Sequence, residues 1–529
     1  MANFDNTSEY YGRKVLKTNL SITGDIKADV DIVKNILKEV LPTHDKNAEE
    51  ETALFNIYLN NPDWWQKTKE TRSDVNNKVS IPTAWALSRT LNGYCFGEPI
   101  KYLAKDMEDK SNEQLNEEQR SKQKQVEILS AMLDTMHNHD STTMATLCAS
   151  ICGLGYKLAL PATDEEIEEN GVPFIINSNI IYPQLAGVVY SDKPIPQEVL
   201  GFLIGTYYDP STGEKKGNQY TCWTKYAQYL FKESEDGESY DLIKQVDAKG
   251  TEVDFYELTT NKIPLIEVER NAFRKGDWEV AKDIIAIRNN LVSSRQDDIQ
   301  QIIDYVMILI NCDFENEGDK KDAINKRLFN LKVSDPQNKP SVEILKNALE
   351  QNGIQMYADY LDLLIQETVG VPNRQERGGG GGDTGQAVKY RNGFRDLENN
   401  AGLIIPKMDK AELKFLALCI KYCQNSTIKV LDNLKPYEVR CKFMRTLNDD
   451  IVSSATAFAT YFSSGVGFED SLIMSKSGTD PTEIAERARQ AKAKGMTYAD
   501  LTSSNSNKTD TTTETTKKLN EETNTKIIA

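Results

Sequence analysis

The sequence predicts an α+β fold, mainly helical, with one strand-rich block. Its 529 residues are too many for one ordinary core, so two or more packed units are expected. Apolar residues at helical spacing recur on both sides of residues 172–268. Inside that block, short apolar and aromatic runs are separated by turn signals such as Asp209-Pro210-Ser211-Thr212-Gly213 and Glu235-Asp236-Gly237, the pattern of successive hairpins.

In chain order, residues 1 to about 72 read as helical. Ile32, Val33, Ile36, Leu37, Val40 and Leu41 form one stripe, and Leu54, Phe55, Tyr58 and Leu59 a second one ahead of Pro62. Pro82 sits where a first helical turn tolerates it, and Ala84 to Leu91 reads as helix with Asn92-Gly93 as its stop. Tyr94-Cys95-Phe96 then reads as a short apolar segment and Pro99 to Tyr102 as extended. Residues 106–124 are charged and exposed, as loop or helix. Val126 to Met136 and Thr142 to Ile151 are helical, and Gly153 to Leu160 turns into a strand. In the block, Phe174 to Ile176, Ala186 to Tyr190, Phe202 to Tyr208, Tyr220 to Phe231 and Asp254 to Leu258 are strand-like.

Helical spacing returns from Trp278 to Asp313, carried by Val280, Ile284, Ile287, Leu291, Ile299, Ile302, Val306 and Leu309. Residues 314–340 are polar with one strand-like piece, Arg327 to Val333, and Val342 to Val369 is again helical. Five consecutive glycines, Gly378 to Gly382, follow. Ala387 to Tyr422 reads as a long helix bent or broken near Pro406. Ile428 to Phe443 holds at least one strand and Ile451 to Lys494 is helical. The tail from Ser503 to Ala529 carries almost no apolar side chains and is expected to be disordered.

Composition narrows the function classes. The net charge of −17 argues against a tight duplex-binding domain, because Lys and Arg displace counterions from phosphate. It is compatible with a protein past which DNA slides, and equally with acidity that serves only solubility. No apolar run approaches the ~20 residues that span a bilayer, and the first residues lack the apolar core of a signal peptide, so no membrane partner is expected. Eight cysteines in a chain of this length read as buried, reduced thiols. Cys148/Cys152 and Cys419/Cys423 are spaced i, i+4 in helices without the further ligands a metal needs. No Walker A loop, HExxH or GxSxG occurs, so neither catalytic nor metal-binding residues nor a cofactor are assigned. The clustered carboxylates Asp297-Asp298 and Asp313 to Glu317 fit a solvated face better than a cation site. The glycine run, flanked by Arg374, Gln375, Arg377 and Lys389, reads either as a connector or as a loop that changes shape against a moving partner.

Four stretches together carry a resemblance. They are NKVSIPTAWALSRTLNGYCFGEPIKY (77–102), CGLGYKLAL (152–160), NKIPLIEVERNAFRKGDWEVAKDIIAIRNNLVSSRQDDI (261–299) and DTGQAVKYRNGFRDLENNA (383–401). In this order and spacing the chain resembles the portal proteins of tailed bacteriophages, in the branch found in siphophages of Gram-positive hosts. The resemblance covers roughly residues 25–495. It implies a ring subunit, a dodecamer, at the unique vertex of the capsid in the virion, assembled in the host cytoplasm. It implies a channel for packaging and ejection of double-stranded DNA, with the terminase large subunit, the major capsid and scaffolding proteins and a head–tail adaptor as partners, and no enzymatic activity of its own. It also implies a layout. Residues 1–276 form the wing, with 153–268 strand-rich. Residues 277–313 form a first stem helix bearing Trp278, Asp283, Arg288, Asp297 and Asp298. A small α/β clip (314–341) and a second stem helix (342–370) follow. A tunnel loop (371–385) carries Arg374, Gln375, Arg377 and Gly378, Gly379, Gly380, Gly381 and Gly382. A long kinked helix then returns to the wing (386–443), a helical crown follows (444–502), and the tail (503–529) is free. Another capsid or scaffold protein, lacking the helix–clip–helix–glycine-loop order, is the structural alternative. A metal-dependent nuclease using clustered carboxylates is the catalytic one.

Overall fold

The structure, a computed structural model, describes residues 12–61, 64–65, 76–105, 116–208, 213–234, 239–246, 251–303, 306–310, 312–314, 331–333, 341–345, 351–372, 394–426, 431–445, 458–461 and 463–464. The fold is α+β, with several sheets and long helices.

The strand-rich block is real. Its main sheet runs in the order β1 (Leu16–Thr18), β5 (Ala186–Ser191), β6 (Glu198–Tyr208), β7 (Lys215–Trp223), β8 (Ala227–Glu233) and β12 (Phe255–Glu257), with β9 (Tyr240–Leu242) also on β8. Along β8 the side chains of Ala227, Tyr229 and Phe231 are buried and those between them less so, the period of two that a sheet with one covered face requires. The cover is helix α1 (Asp29–Tyr58), whose Val33, Ile36, Leu37, Val40 and Leu41 pack on Phe202, Tyr220, Cys222 and Tyr229.

Two expectations for the N-terminal half are corrected, and the open choice of loop or helix ahead of Val126 is decided for helix from Glu117. Residues 16–18, read as helical, form a strand parallel to β5. Three residues are too few for any periodicity to register. Helix α2 (Thr83–Phe96) does not stop at Asn92-Gly93 but continues to Phe96. Burial of Asn92, Tyr94, Cys95 and Phe96 outweighs the roughly 1 kcal/mol cost of an internal glycine, and the chain turns instead at Gly97, two residues before Pro99. Helix α3 (Glu117–Thr135) begins well before Val126. Its start is a capping box in which Asn116 and Gln119 each bond the other's backbone N–H.

A second core lies among α2, α3, α4 (Asn138–Cys152) and a long C-terminal helix. The small sheet β13 (Leu265–Glu269), β3 (Leu154–Pro161) and β4 (Phe174–Ile176) joins it to the main sheet through Leu158, Leu265, Val188 and Trp223. Cys95, Cys148, Cys152, Cys222, Cys419, Cys423 and Cys441 are free and buried. Burial pushes the Cys95 thiol up to about 11 and Cys148 to about 12, so these thiols are inert packing groups.

The region read as one helix from Trp278 to Asp313 ends earlier. A 3₁₀ turn (Glu279–Ala281) leads into α6 (Lys282–Ile303); α5 is the short Asp164–Asn170. Val306–Ile310 is then β14, antiparallel to β17 (Ser341–Leu345). Cys312–Phe314 (β15) pairs Leu331–Val333 (β16). A run of five apolar residues has no period that separates strand from helix, and here pairing decides. The small β unit is therefore wider than 314–341, and the second helix, α7 (Gln351–Val369), starts nine residues later than Val342. The long helix α8 (Phe394–Asn425) runs through Pro406 unbroken, and β18 (Val439–Lys442) pairs β2 (Lys101–Ala104). Residues 373–393, most of 446–502 and all of the tail lie outside the described residues, as therefore do most of the expected crown and the glycine run.

One ion pair ties the second core across the sequence. Lys157 on β3 and Glu412 on α8 are both fully buried, with Nζ 2.7 Å from Oε2. The ammonium also donates to Asn138 Oδ1 (2.8 Å) and Thr142 Oγ1 (2.9 Å), while Tyr102 Oη donates to Glu412 Oε1 (2.7 Å). All three ammonium protons are thus used, and the Phe415 ring lies 4.0 Å from Nζ. A buried pair held this way is costly to break singly but replaceable as a unit. Equilibrium urea unfolding should show Glu412→Leu losing ~3–5 kcal/mol, and the double variant Lys157→Met/Glu412→Leu losing clearly less. A double variant at least as unstable as the single one would contradict this account.

Candidate functional site at the root of the α6–α7 pair

The C-terminus of α4 meets the loop before α6 at backbone distance. Gly153, at φ +90°, leaves so little room that a Cβ there would lie 2.3 Å from the Arg274 carbonyl oxygen. At Gly276 a Cβ would lie 2.1 Å from the Ile151 carbonyl oxygen. Only glycine fits either position. These are glycines of two separate motifs, CGLGYKLAL and RKGDWE, and their spacing in sequence hides that they meet.

The contact satisfies the last carbonyls of α4, which have no partner within the helix. Asp277 N donates to Ser150 O (2.8 Å), and Arg13 Nη1 to Cys152 O (3.0 Å), placing a guanidinium at the negative end of the helix dipole. Arg13 also reaches Glu279 Oε1 (2.6 Å), whose other oxygen accepts from Gly276 N (2.9 Å). Arg270 forms a two-pronged pair with Asp277 (2.8 and 2.6 Å), and Ser150 Oγ donates to the same carboxylate. Arg274 pairs with Glu267, and Lys407 of α8 with Glu269 (3.0 Å). Trp278 is fully buried and its Nε1 donates to Ser88 Oγ of α2 (2.9 Å).

From this root α6 and α7 run antiparallel. Arg288 binds Asp362 through both prongs (2.8 and 2.9 Å), and Arg295 Nη1 reaches Gln355 Oε1 (2.7 Å). Moving seven residues forward on α6 moves seven back on α7, the register of an antiparallel pair. Another face of α6 carries a polar ladder. Asp297 Oδ1, Ser293 Oγ and Asn289 Oδ1 accept from the backbone N–H groups of Asn77 (2.6 Å), Val79 (3.0 Å) and Ile81 (3.2 Å). Alternate residues of an extended segment thus meet every fourth residue of a helix.

Of the residues singled out from the sequence, Trp278, Arg288 and Asp297 are brought together as the fixings of α6, while Asp283 and Asp298 point to solvent. Asp297 is therefore a backbone anchor and its neighbour a solvated carboxylate. The channel-loop candidates Arg374 to Gly382 lie outside the described residues. Sequence reading missed Arg13, Arg270 and Arg274. Their partners are distant in the chain or sit in a loop with no periodicity; the one available signal was the dense alternation of charge in EVERNAFRKGDWE. Among the described residues no three His, Cys, Asp or Glu side chains are placed to hold a metal ion, and no helix is long and apolar enough to cross a membrane.

A family model described as "Phage portal protein, SPP1 Gp6-like" matches residues 37–497. The chain belongs to this portal family. No curated protein matches it. The match spans the strand-rich block, α6, the small β unit, α7 and α8, and the family makes the chain a phage virion component.

Beside this root the portal chain buries Glu51 on α1. Burial raises its carboxyl from 4.5 to about 8, against the opposing pull of Arg13 and Arg274. Between these values the folded chain binds a proton that the unfolded chain releases, so stability falls as pH rises through the window and the full penalty stands above about 8. At ~1.4 kcal/mol per unit the full loss is on the order of 5 kcal/mol. Glu51→Gln should flatten this dependence and leave the variant more stable than the native chain in mildly alkaline buffer, as read by thermal melts across the range. An unchanged slope would mean that Glu51 is ionised in the fold.

Proposed function

We propose that this protein is the ring-forming portal subunit at the unique vertex of a phage capsid. It forms the channel for packaging and ejecting double-stranded DNA and has no enzymatic activity of its own. The observation that carries the reading is the family match across the whole helix–small β unit–helix array. In it α6 and α7 are the stem helices, β14 to β17 belong to the clip that faces the terminase large subunit and later the head–tail adaptor, and the main sheet with α1 is the wing. The ring is a dodecamer, assembled in the host cytoplasm with the major capsid and scaffolding proteins. No Walker A loop is present, so the energy for packaging comes from the terminase.

Acidity supports a channel that does not grip. A chain of net charge −17, repeated around a ring, repels phosphate, and duplex passes with weak contacts. Residues 371–385 are the tunnel loop in this reading. Its glycine run gives many backbone states, and Arg374 and Arg377 meet phosphates transiently.

Electron microscopy of the purified chain should show rings with a central channel; monomers alone would count against the reading. Rings in which Gly378 to Gly382 are all alanine should assemble normally but package DNA into empty heads more slowly or not at all. Packaging at the native rate, with infectious particles, would reduce the run to a connector.

A further inference from the structure

Two apolar surfaces of this chain lie at the same level along α6 but on different sides of it. The first is an aromatic patch. Phe55 stands edge-on to Tyr182 (5.9 Å), Tyr58 stacks on Trp85 (4.9 Å), and the Arg89 guanidinium lies over Trp85 (5.5 Å). Leu59 completes the patch and is 65% exposed, and Trp85 and Tyr182 are exposed as well. Trp, Tyr and Arg held rigid by stacking are the residues that dominate protein–protein hot spots.

The second surface is the outer stripe of α7. Ala358, Leu361, Ile365 and Val369 fill its inner stripe, yet Met356, Tyr357 and Tyr360 on the other side are also apolar and exposed, Met356 at 73%. A helix apolar on both faces is one that is covered on both faces.

Their levels follow from the hydrogen bonds. The patch is tied through Asn60, which bonds Ser80 (2.6 and 3.2 Å), within the extended segment that meets α6 at Asn289 and Ser293. The α7 stripe is tied to α6 by Arg288–Asp362 and Arg295–Gln355. Both surfaces therefore stand beside residues 288–295 of α6. Asn289 and Arg288 differ by one helical position, about 100° around the axis, so the surfaces face apart and one molecule cannot close one on the other. Copies related by rotation about an axis along α6 bring unlike surfaces at one level together. The charges agree: α7 carries no basic residue and exposes Glu367, and the patch presents Arg89.

We propose that the Met356–Tyr357–Tyr360 stripe of one copy docks on the Leu59–Trp85–Tyr182 patch of the next copy, a head-to-tail contact that builds the ring. The contact rests on the portal reading and adds which surfaces meet. The test uses two full-length variants, Tyr360→Lys and Leu59→Asp, with melting temperatures checked against the native chain. By mass photometry the native chain forms rings, each variant alone stays monomeric, and an equal mixture forms a one-to-one dimer, because one intact stripe and one intact patch remain. Rings from either variant, or no dimer in the mixture, would overturn the docking contact while leaving the portal reading intact. Absence of rings from the native chain would instead count against the portal reading. Independently, chains carrying Leu59→Cys and chains carrying Tyr360→Cys, co-assembled and oxidised, should give a disulfide-linked pair between the two chains. Failure to cross-link within assembled rings would also overturn the contact.

Discussion

The approach of two backbones at the end of α4 is the constraint on which the rest of this molecule depends. Glycines at 153 and 276 let the α4 terminus and the loop before α6 touch without side chains between them. That contact sets the direction in which α6 leaves the body, because Trp278 is inserted two residues after Gly276 and α6 begins at Lys282. Arg13, Arg270 and Arg274 then neutralise the carbonyls and carboxylates that the close approach concentrates. None of these ion pairs is a surface ornament. Each includes a nearly fully buried arginine, so losing one partner strands a charge rather than returning it to water.

Much of the architecture was legible in the sequence, and the failures have physical causes. The strand block from 172 to 268 announced itself through alternating burial, visible along β8, and through turn residues between strands. Trp278 was singled out, and it is fully buried just ahead of α6, bonded to Ser88 of α2. What failed were the ends. Val306 to Ile310 continued the apolar spacing of α6 but pairs as a strand with residues 341–345, information that lies 35 or so residues away. Asn92-Gly93 carried a local stop signal that burial of the next three residues overrode. The buried Lys157–Glu412 pair joins residues 255 apart, and single-sequence periodicity has no access to such a partner.

Charge is distributed with the same economy. The chain is strongly acidic, yet the buried faces around the α6 root are rich in arginine, each matched to a carboxylate. Acidity is therefore a property of the exterior, and the interior is close to neutral. This separation lets one protein keep a firm electrostatic skeleton beneath an anionic surface.

The ladder between residues 77–81 and α6 has a consequence for how force travels along this helix. Two residues of extended chain advance ~6.6 Å and four of helix ~6.0 Å. The rungs at Asn77, Val79 and Ile81 therefore fall out of step by roughly half an ångström each. Three rungs absorb that offset within ordinary hydrogen-bond tolerance, and a long ladder would not. More to the point, the two periods coincide again only after a whole step. Between steps the N–H groups of Asn77, Val79 and Ile81 would lose their acceptors on α6. The helix is thus indexed like a notched shaft: it does not creep along its own axis, and a load applied at the far end of α6 reaches the body as a bend or a twist about a fixed seat.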